Sequence, residues 1–345
     1  MKYRLYTSSA MAWEGMFKAI EKAQKSIYLE MYILAADTKL THDFFSLLEN
    51  KARLGLEIVI VADAFGSLDL PKENIERLRT AGVEFIFFSH WLRRTHRKIL
   101  IIDERTAFTG GVNIGEKYRN WRDMHIKIEG PIIKPLLKSF AYAYEMAGGK
   151  KENLVNYSHR RFTRKIKSWV IDNLADTSRA YYLNDYYKER IIAAQKSIKI
   201  VTPYLLPPRW FVALLDGACR RGVKVEILIP NNTDIKLINK VNYLNACRLS
   251  ELGIQFFCSP VMNHAKIIML DDEEGVIGSQ NMDGLSFNWN IEAGVFFRQK
   301  KLVTDLLKII DQWKTGSVEF NASQRPWRFS DKILIAILKL FYPIF

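Results

Sequence analysis

Apolar residues run unbroken at Ile99-Leu100-Ile101-Ile102 and again at Ile267-Ile268-Met269-Leu270, and such runs mark strands that are covered on both faces. Ala107 to Val112 and Val276 to Ser279 follow after short polar gaps and read as the return strands, so each stretch predicts a hairpin. Around the hairpins, helical patterns such as 13–25 and 41–54 alternate with strand-like runs such as 27–34 and 57–63. That alternation predicts α/β layers on a largely parallel sheet.

The pattern occurs twice. Ala23-Gln24-Lys25-Ser26-Ile27 returns as Ala194-Gln195-Lys196-Ser197-Ile198, shifted by 171 residues, and Arg53-Leu54-Gly55 is matched by Arg220-Arg221-Gly222, shifted by 167. A repeat this long predicts two duplicated domains, which suits a chain of 345 residues. The expected organisation is a first domain over 1–147, a basic linker over 148–180, a second domain over 181–320 and a separate C-terminal segment over 321–345.

The hairpins also carry chemistry. His96, Lys98, Asp103, Gly110 and Asn113 recur as His264, Lys266, Asp271, Gly278 and Asn281, every position displaced by the same 168 residues. Residues two apart on a strand share a face, so each His projects with its Lys where the sheet meets solvent. An imidazole beside a fixed ammonium and a carboxamide, presented twice, suits a phosphodiester. The Lys and Asn side chains can hold the non-bridging oxygens, one His can attack phosphorus, and the other can protonate the leaving alkoxide. This reading calls for no metal and no other cofactor. A nucleophilic His needs an acceptor on its other ring nitrogen, and a carboxylate follows each motif: Asp123 lies 27 residues after His96 and Glu292 lies 28 after His264. His125, on the expected strand 124–128, is read as a packed histidine outside the site.

With these residues the chain resembles the two-motif phospholipase D superfamily and, within it, the bacterial cardiolipin synthases. The superfamily pattern HxK(x4)D(x6)G(G/S)xN is present in both halves. The synthase branch rests on softer strings, among them Glu30-Met31-Tyr32, Asp63 followed by Gly66-Ser67, Trp121-Arg122-Asp123, Thr202-Pro203-Tyr204 and Gly278-Ser279-Gln280-Asn281. Many relatives have Arg two residues after Asp283, where this chain has Leu285. The resemblance implies two α-β-α sandwich domains of phospholipase D type with the active site at their interface. It implies His96 as the nucleophile that becomes phosphohistidine and His264 as the acid and then the base. Asp103 and Asp271 belong to the catalytic motif, and strand alternation puts them at the hairpin turns, where they shape the site.

The net charge of +14 requires an anionic partner class. Nothing resembles an aromatic stacking tract or a nucleic-acid module, so nucleic acid is not the expected partner. Ser330 caps an expected helix over 331–342 that is apolar except for Lys332 and Lys339, which fits an anionic phospholipid surface, where each basic residue contributes about 1 kcal/mol. Three cysteines without metal spacing fit a reducing compartment, and neither a signal peptide nor a run of roughly 20 apolar residues is seen. The expected location is peripheral, on the cytoplasmic face of a membrane. The expected function is a phosphatidyltransferase of the cardiolipin synthase type acting on phosphatidylglycerol or a similar lipid. A phospholipase D, or a nuclease on the same scaffold, uses the same residues, and the sequence does not fix donor, acceptor or oligomeric state.

Overall fold

The computed structural model of the chain describes residues 1–91, 93–161, 168–172 and 182–321. The first half runs β1 (Lys2–Ser8), α1 (Ser9–Glu21), β2 (Ser26–Met31), α2 (Phe44–Arg53), β3 (Glu57–Asp63), α3 (Lys72–Thr80), β4 (Glu84–Phe88), β5 (Lys98–Ile102), β6 (Thr106–Gly110), β7 (Arg122–Glu129), α4 (Ile133–Met146) and α5 (Glu152–Ser158). The second runs β8 (Ser168–Asp172), α6 (Tyr182–Ala193), β9 (Ser197–Val201), β10 (Leu205–Leu206), α7 (Arg209–Arg220), β11 (Lys224–Pro230), α8 (Lys236–Ser250), β12 (Gln255–Ser259), β13 (Ile267–Leu270), β14 (Glu274–Gly278), β15 (Met282–Asp283), α9 (Gly284–Asn288), β16 (Ala293–Phe297), α10 (Lys300–Thr315) and β17 (Val318–Glu319).

The duplication is plain in the strand orders. The first sheet reads β1-β7-β6-β5-β2-β3-β4, and the second reads β8-β16-β14-β13-β9-β11-β12 with β17 added at the edge. Both sheets are mixed, which corrects the expectation of largely parallel ones. Parallel pairing is confined to β2-β3-β4 and β9-β11-β12, where helices cross over, and the hairpins make the other neighbours antiparallel. A second correction concerns the segment 148–180. It holds α5 as well as β8, which pairs with β16 and takes the place in the second sheet that β1 takes in the first. The second unit therefore starts before residue 168, because an edge strand can be supplied from far upstream of its neighbours. The expected C-terminal helix lies outside the described residues.

Strand alternation sorts the apolar runs into layers. Ile99 and Ile101 of β5, with Ile267 and Met269 of β13, join α4 and α10 in one core between the sheets. Leu100 and Ile102 face α1 to α3, and Ile268 and Leu270 face α6 and α7. Two α-β-α sandwiches thus share their inner layer, and burial of that shared layer, at about 25 cal/mol per Å² of apolar surface, holds the halves in register.

Candidate active site at the junction of the halves

Both hairpins begin where the halves meet. The His96 amide donates to the Ile291 carbonyl at 3.0 Å, and the Ile291 amide donates back to the Arg94 carbonyl at 2.7 Å. In the same way the His264 amide donates to Arg122 at 2.7 Å, and the Arg122 amide donates to Met262 at 3.1 Å. The residue that follows each of these partners is a carboxylate. Glu292 follows Ile291, and its two oxygens lie 2.9 and 3.1 Å from His96 Nδ1. Asp123 follows Arg122, and its Oδ2 lies 2.9 Å from His264 Nδ1. The two carboxylates picked out by spacing do orient the histidines, but each serves the histidine of the opposite half. A short backbone ladder therefore sets each ring against its partner to within a hydrogen bond.

These side chains are all buried. Burial lowers the His96 pKa, with Glu292 working against it and Lys98 adding to it. His264 is lowered to about 4, by burial first and Lys266 next. Burial raises Asp123 and Glu292, but His264 and His96 respectively, with the nearby Lys residues, bring both below the ordinary range. The pairs are thus ionised carboxylates facing neutral imidazoles, which donate from Nδ1 and keep the Nε2 lone pair. Lys98 is lowered to about 7 and Lys266 to about 8, each mainly by burial. Lys98 Nζ donates to the His96 carbonyl at 2.5 Å, and Lys266 Nζ donates to the His264 carbonyl. Lys98 acts on His264 and Lys266 acts on His96, so the four cationic-type groups form one cluster.

The pattern that defines the family described as "Cardiolipin synthase, PLD-like domain" matches residues 16–143 and again 187–314, one copy for each sheet. The chain belongs to this family. It is 31% identical over 311 residues to the probable cardiolipin synthase YwiE of Bacillus subtilis strain 168, a match that takes in 84% of this chain and 61% of that protein. It is 30% identical over 376 residues to the cardiolipin synthase of Geobacillus sp. strain WCH70, covering 99% of this chain and 72% of the relative. The chain thus spans about three fifths of the length of YwiE. Among solved structures, a phosphatidylserine synthase of Haemophilus influenzae Rd KW20 superposes with a TM-score of 0.76 at 16% identity, over 99% of this chain and 93% of that one. That likeness shows a shared fold.

Not every residue of the family motif is at the junction. Asp103 and Asp271 lie at the far ends of β5 and β13, away from the histidines. Each opens a tight turn in which two successive residues have positive φ, Asp103 and Glu104 at 52° and 52°, Asp271 and Asp272 at 54° and 56°, and Asp tolerates that region better than most residues. The Asp103 carboxylate accepts from the amides of Gln24 at 3.0 Å, Lys25 at 2.7 Å and Ser26 at 3.0 Å. Asp271 does the same with Gln195, Lys196 and Ser197. Their place in the catalytic set is therefore corrected: they clamp the hairpin turn to the corner that opens β2 or β9.

The asparagines differ from one another. Asn113 Oδ1 accepts from the Ile33 amide at 3.4 Å, which leaves its Nδ2 as the donor. Asn281 hydrogen-bonds Asp283 through its side chain, and its Oδ1 is buried without a partner. Spacing missed several contributors. Tyr32 packs edge-on to His96 at 4.7 Å between ring centroids, and Trp121 lies 5.2 Å from His264. The Ser279 hydroxyl donates to Glu292, and Ser286 Oγ donates to the same carboxylate at 2.8 Å. Tyr32, Trp121 and Ser279 stand in the softer strings and could have been found there, whereas nothing near Ser286 signals its role. Tyr204 lies 6.2 Å from the His264 ring, and its hydroxyl donates to Asp234 at 2.7 Å. His125 is buried on β7, and its Nδ1 has no partner.

Proposed function

We propose that the protein is a phosphatidyltransferase of the cardiolipin synthase type, joining two phosphatidylglycerols into cardiolipin and glycerol. The observation that carries this reading is the crossed pair of buried histidines, each held at Nδ1 by a carboxylate of the other half. His96 Nε2 attacks the phosphorus of the donor, the bond from phosphorus to the glycerol oxygen breaks, and His264 supplies the proton to the departing alkoxide. The glycerol hydroxyl of a second phosphatidylglycerol then gives its proton back to His264 and attacks phosphorus, and the phosphorus–nitrogen bond breaks to restore His96. Lys98, Lys266 and Asn113 stabilise the negative charge on the non-bridging oxygens.

His264 must carry a proton to act first as an acid, and in the empty site it is lowered to about 4, by burial first and Lys266 next. A phosphodiester anion between the two Lys side chains offsets their charge, so substrate binding itself restores the proton affinity of His264. No helix of the described residues is long and apolar enough to cross a membrane, and the proposed location is peripheral, on the cytoplasmic face of an anionic membrane. The unit boundaries proposed are residues 1–160 and 168–320.

Purified protein incubated with labelled phosphatidylglycerol vesicles tests the proposal. Labelled cardiolipin with release of glycerol is expected. Phosphatidic acid as the main product would instead establish a phospholipase D, in which water ends the same first half-reaction.

A further inference from the structure

The loops that surround the catalytic junction share an unusual surface. β2, β3 and β4 all end at the side of the first sheet where β5 begins, because β5 runs antiparallel to β2 with Met31 opposite Lys98. β9, β11 and β12 end at the corresponding side of the second sheet. The loops after these strands expose large apolar side chains. Leu40 is 99% exposed and Trp91 89%, with Phe65 and Leu68 between them, and Ile235 and Leu237 stand on the opposite half. Elsewhere such side chains are scattered, as with Leu54 at the end of α2 and Ile192 near the end of α6. Single exposed apolar residues need no explanation, but a ring of them around one opening does.

Cations sit beside the apolar tips. Lys39 precedes Leu40, Arg93 and Arg94 follow Trp91, and Lys236 lies between Ile235 and Leu237. The Arg94 guanidinium stacks 4.6 Å from the centre of the Phe65 ring. Lys39, Arg93 and Lys236 make no ion pair among the described residues. Two neighbouring carboxylates are engaged instead: Asp37 accepts from the Glu116 amide at 2.8 Å, and Asp234 accepts from Tyr204 and pairs with Lys117 at 3.7 Å. The exposed Asp69 opposes the cations in part.

We propose that this rim is the surface by which the enzyme docks on an anionic lipid bilayer, its apolar tips entering the headgroup layer and its cations lying at the phosphates, so that the site opens directly onto the lipid from which its substrate is drawn. The inference rests on the reading of the site as acting on phospholipid, and it adds which face meets the membrane. Alternating apolar and cationic residues suit a lipid interface, where the apolar stem is buried and the charge stays at headgroup level. A protein partner or a second copy would need a continuous flat patch, and here the tips belong to separate loops.

The test compares the full chain with a rim variant, Leu40→Ser with Trp91→Ser and Leu237→Ser, and with a control at the opposite ends of the helices, Leu54→Ser with Ile192→Ser. Binding is measured by sedimentation with mixed phosphatidylglycerol and phosphatidylcholine vesicles. The rim variant is expected to bind at least about ten-fold more weakly and the control within about two-fold of the parent. Bilayers of brominated phosphatidylglycerol give a second reading. Quenching of the parent's fluorescence should exceed that of Trp91→Phe, and this comparison decides the matter if the rim variant does not fold. Equal binding by rim variant and parent, equal loss in the control, or equal quenching in Trp91→Phe would each overturn the proposal. So would a lipid-free dimer that the rim variant dissolves while vesicle affinity is unchanged. Turnover of dispersed short-chain phosphatidylglycerol, expected at the parental rate in the rim variant, separates the two claims: its absence in the parent overturns the catalytic reading and leaves the docking result to stand on its own.

Discussion

The two copies of the catalytic hairpin keep the same reacting groups and surround them differently. Between His96 and Lys98 stands Arg97, fully buried, whose guanidinium grips Glu30 through Nε at 2.9 Å and Nη2 at 2.6 Å and reaches Ser139 Oγ at 2.5 Å. Ser139 Oγ donates in turn to Asp172 of β8 at 2.6 Å. Between His264 and Lys266 stands Ala265, packed in the apolar core. A second exchange concerns the carboxylates. Glu292 is steadied by the hydroxyl of Ser279, while the equivalent position beside Asp123 is Gly111, where an added Cβ would lie 2.1 Å from Asp123 Oδ1. The reacting atoms are thus fixed by the chemistry, whereas the groups that hold them depend only on the space each half offers. A shorter carboxylate closer to the backbone takes Gly, and a longer one takes Ser.

The comparison can be broken most severely at the histidines. His96→Ala and His264→Ala should each lower turnover of dispersed substrate by at least about 10³-fold, as expected for groups that act in series on one phosphorus. An adduct trapped on His264 in His96→Ala, formed at the parental rate with an activated donor, would show that the two halves have exchanged roles. Asp123→Asn and Glu292→Gln come next, at roughly 10²- to 10⁴-fold in kcat, the range for losing the group that orients a reacting imidazole. By NMR, Glu292→Gln should shift the titration of His96 and leave that of His264 nearly in place. The reverse result would contradict the crossed pairing.

Arg97 sharpens the contrast through stability. Arg97→Ala leaves Glu30 buried and unpaired and should cost about 3–5 kcal/mol, while Arg97→Met with Glu30→Leu should recover most of it, measured by urea unfolding. Ser279→Ala should cost about 1 kcal/mol, the ordinary worth of one hydrogen bond, in line with a smaller loss of activity.

The pH dependence is the mildest effect. His264 and His125 titrate at about 4 when folded, both mainly because of burial, against about 6.5 in the unfolded chain. Between those values the unfolded state binds more protons, so stability should fall as pH drops from about 6.5 to about 4. Asp283, raised by burial to about 6, works in the opposite sense over part of that window, because its folded form holds a proton that the unfolded form has lost. Lys98 and Lys266, lowered to about 7 and 8, should make kcat/KM decline above those pH values. A Lys98→Arg variant that remains active should lose the earlier part of that decline.

Much of this was legible in the sequence. The five-position register exposed the duplication and named the histidines, lysines and carboxylates, because strands keep side chains at fixed intervals. The expected helices over 13–25 and 41–54 are found at Ser9–Glu21 and Phe44–Arg53, the shifts being those of ends set by caps such as Ser8 and Asp43. What spacing could not supply was contact across the junction. Linear distance said that Asp123 follows His96, and only the shared inner layer turns it toward His264. Arg97 was hidden for a related reason, since its partner Glu30 is 67 residues away on another strand. The membership of β8 in the second sheet was obscured because it lies 25 residues ahead of the next strand in that half, Ser197–Val201 against Asp172.

The backbone ladder between the halves also sets a schedule during synthesis. By the time the ribosome has joined residue 290, β5 can fold and His96 is in place, yet the carbonyl and carboxylate that orient its ring have not been made. A nascent chain exposes a complete first sheet before it can break a single phosphodiester, and the reaction begins only when Ile291 and Glu292 arrive to close the junction. Stalled chains ending before and after residue 292, each with a linker long enough to clear the exit tunnel, should differ in His96 reactivity toward an activated phosphodiester.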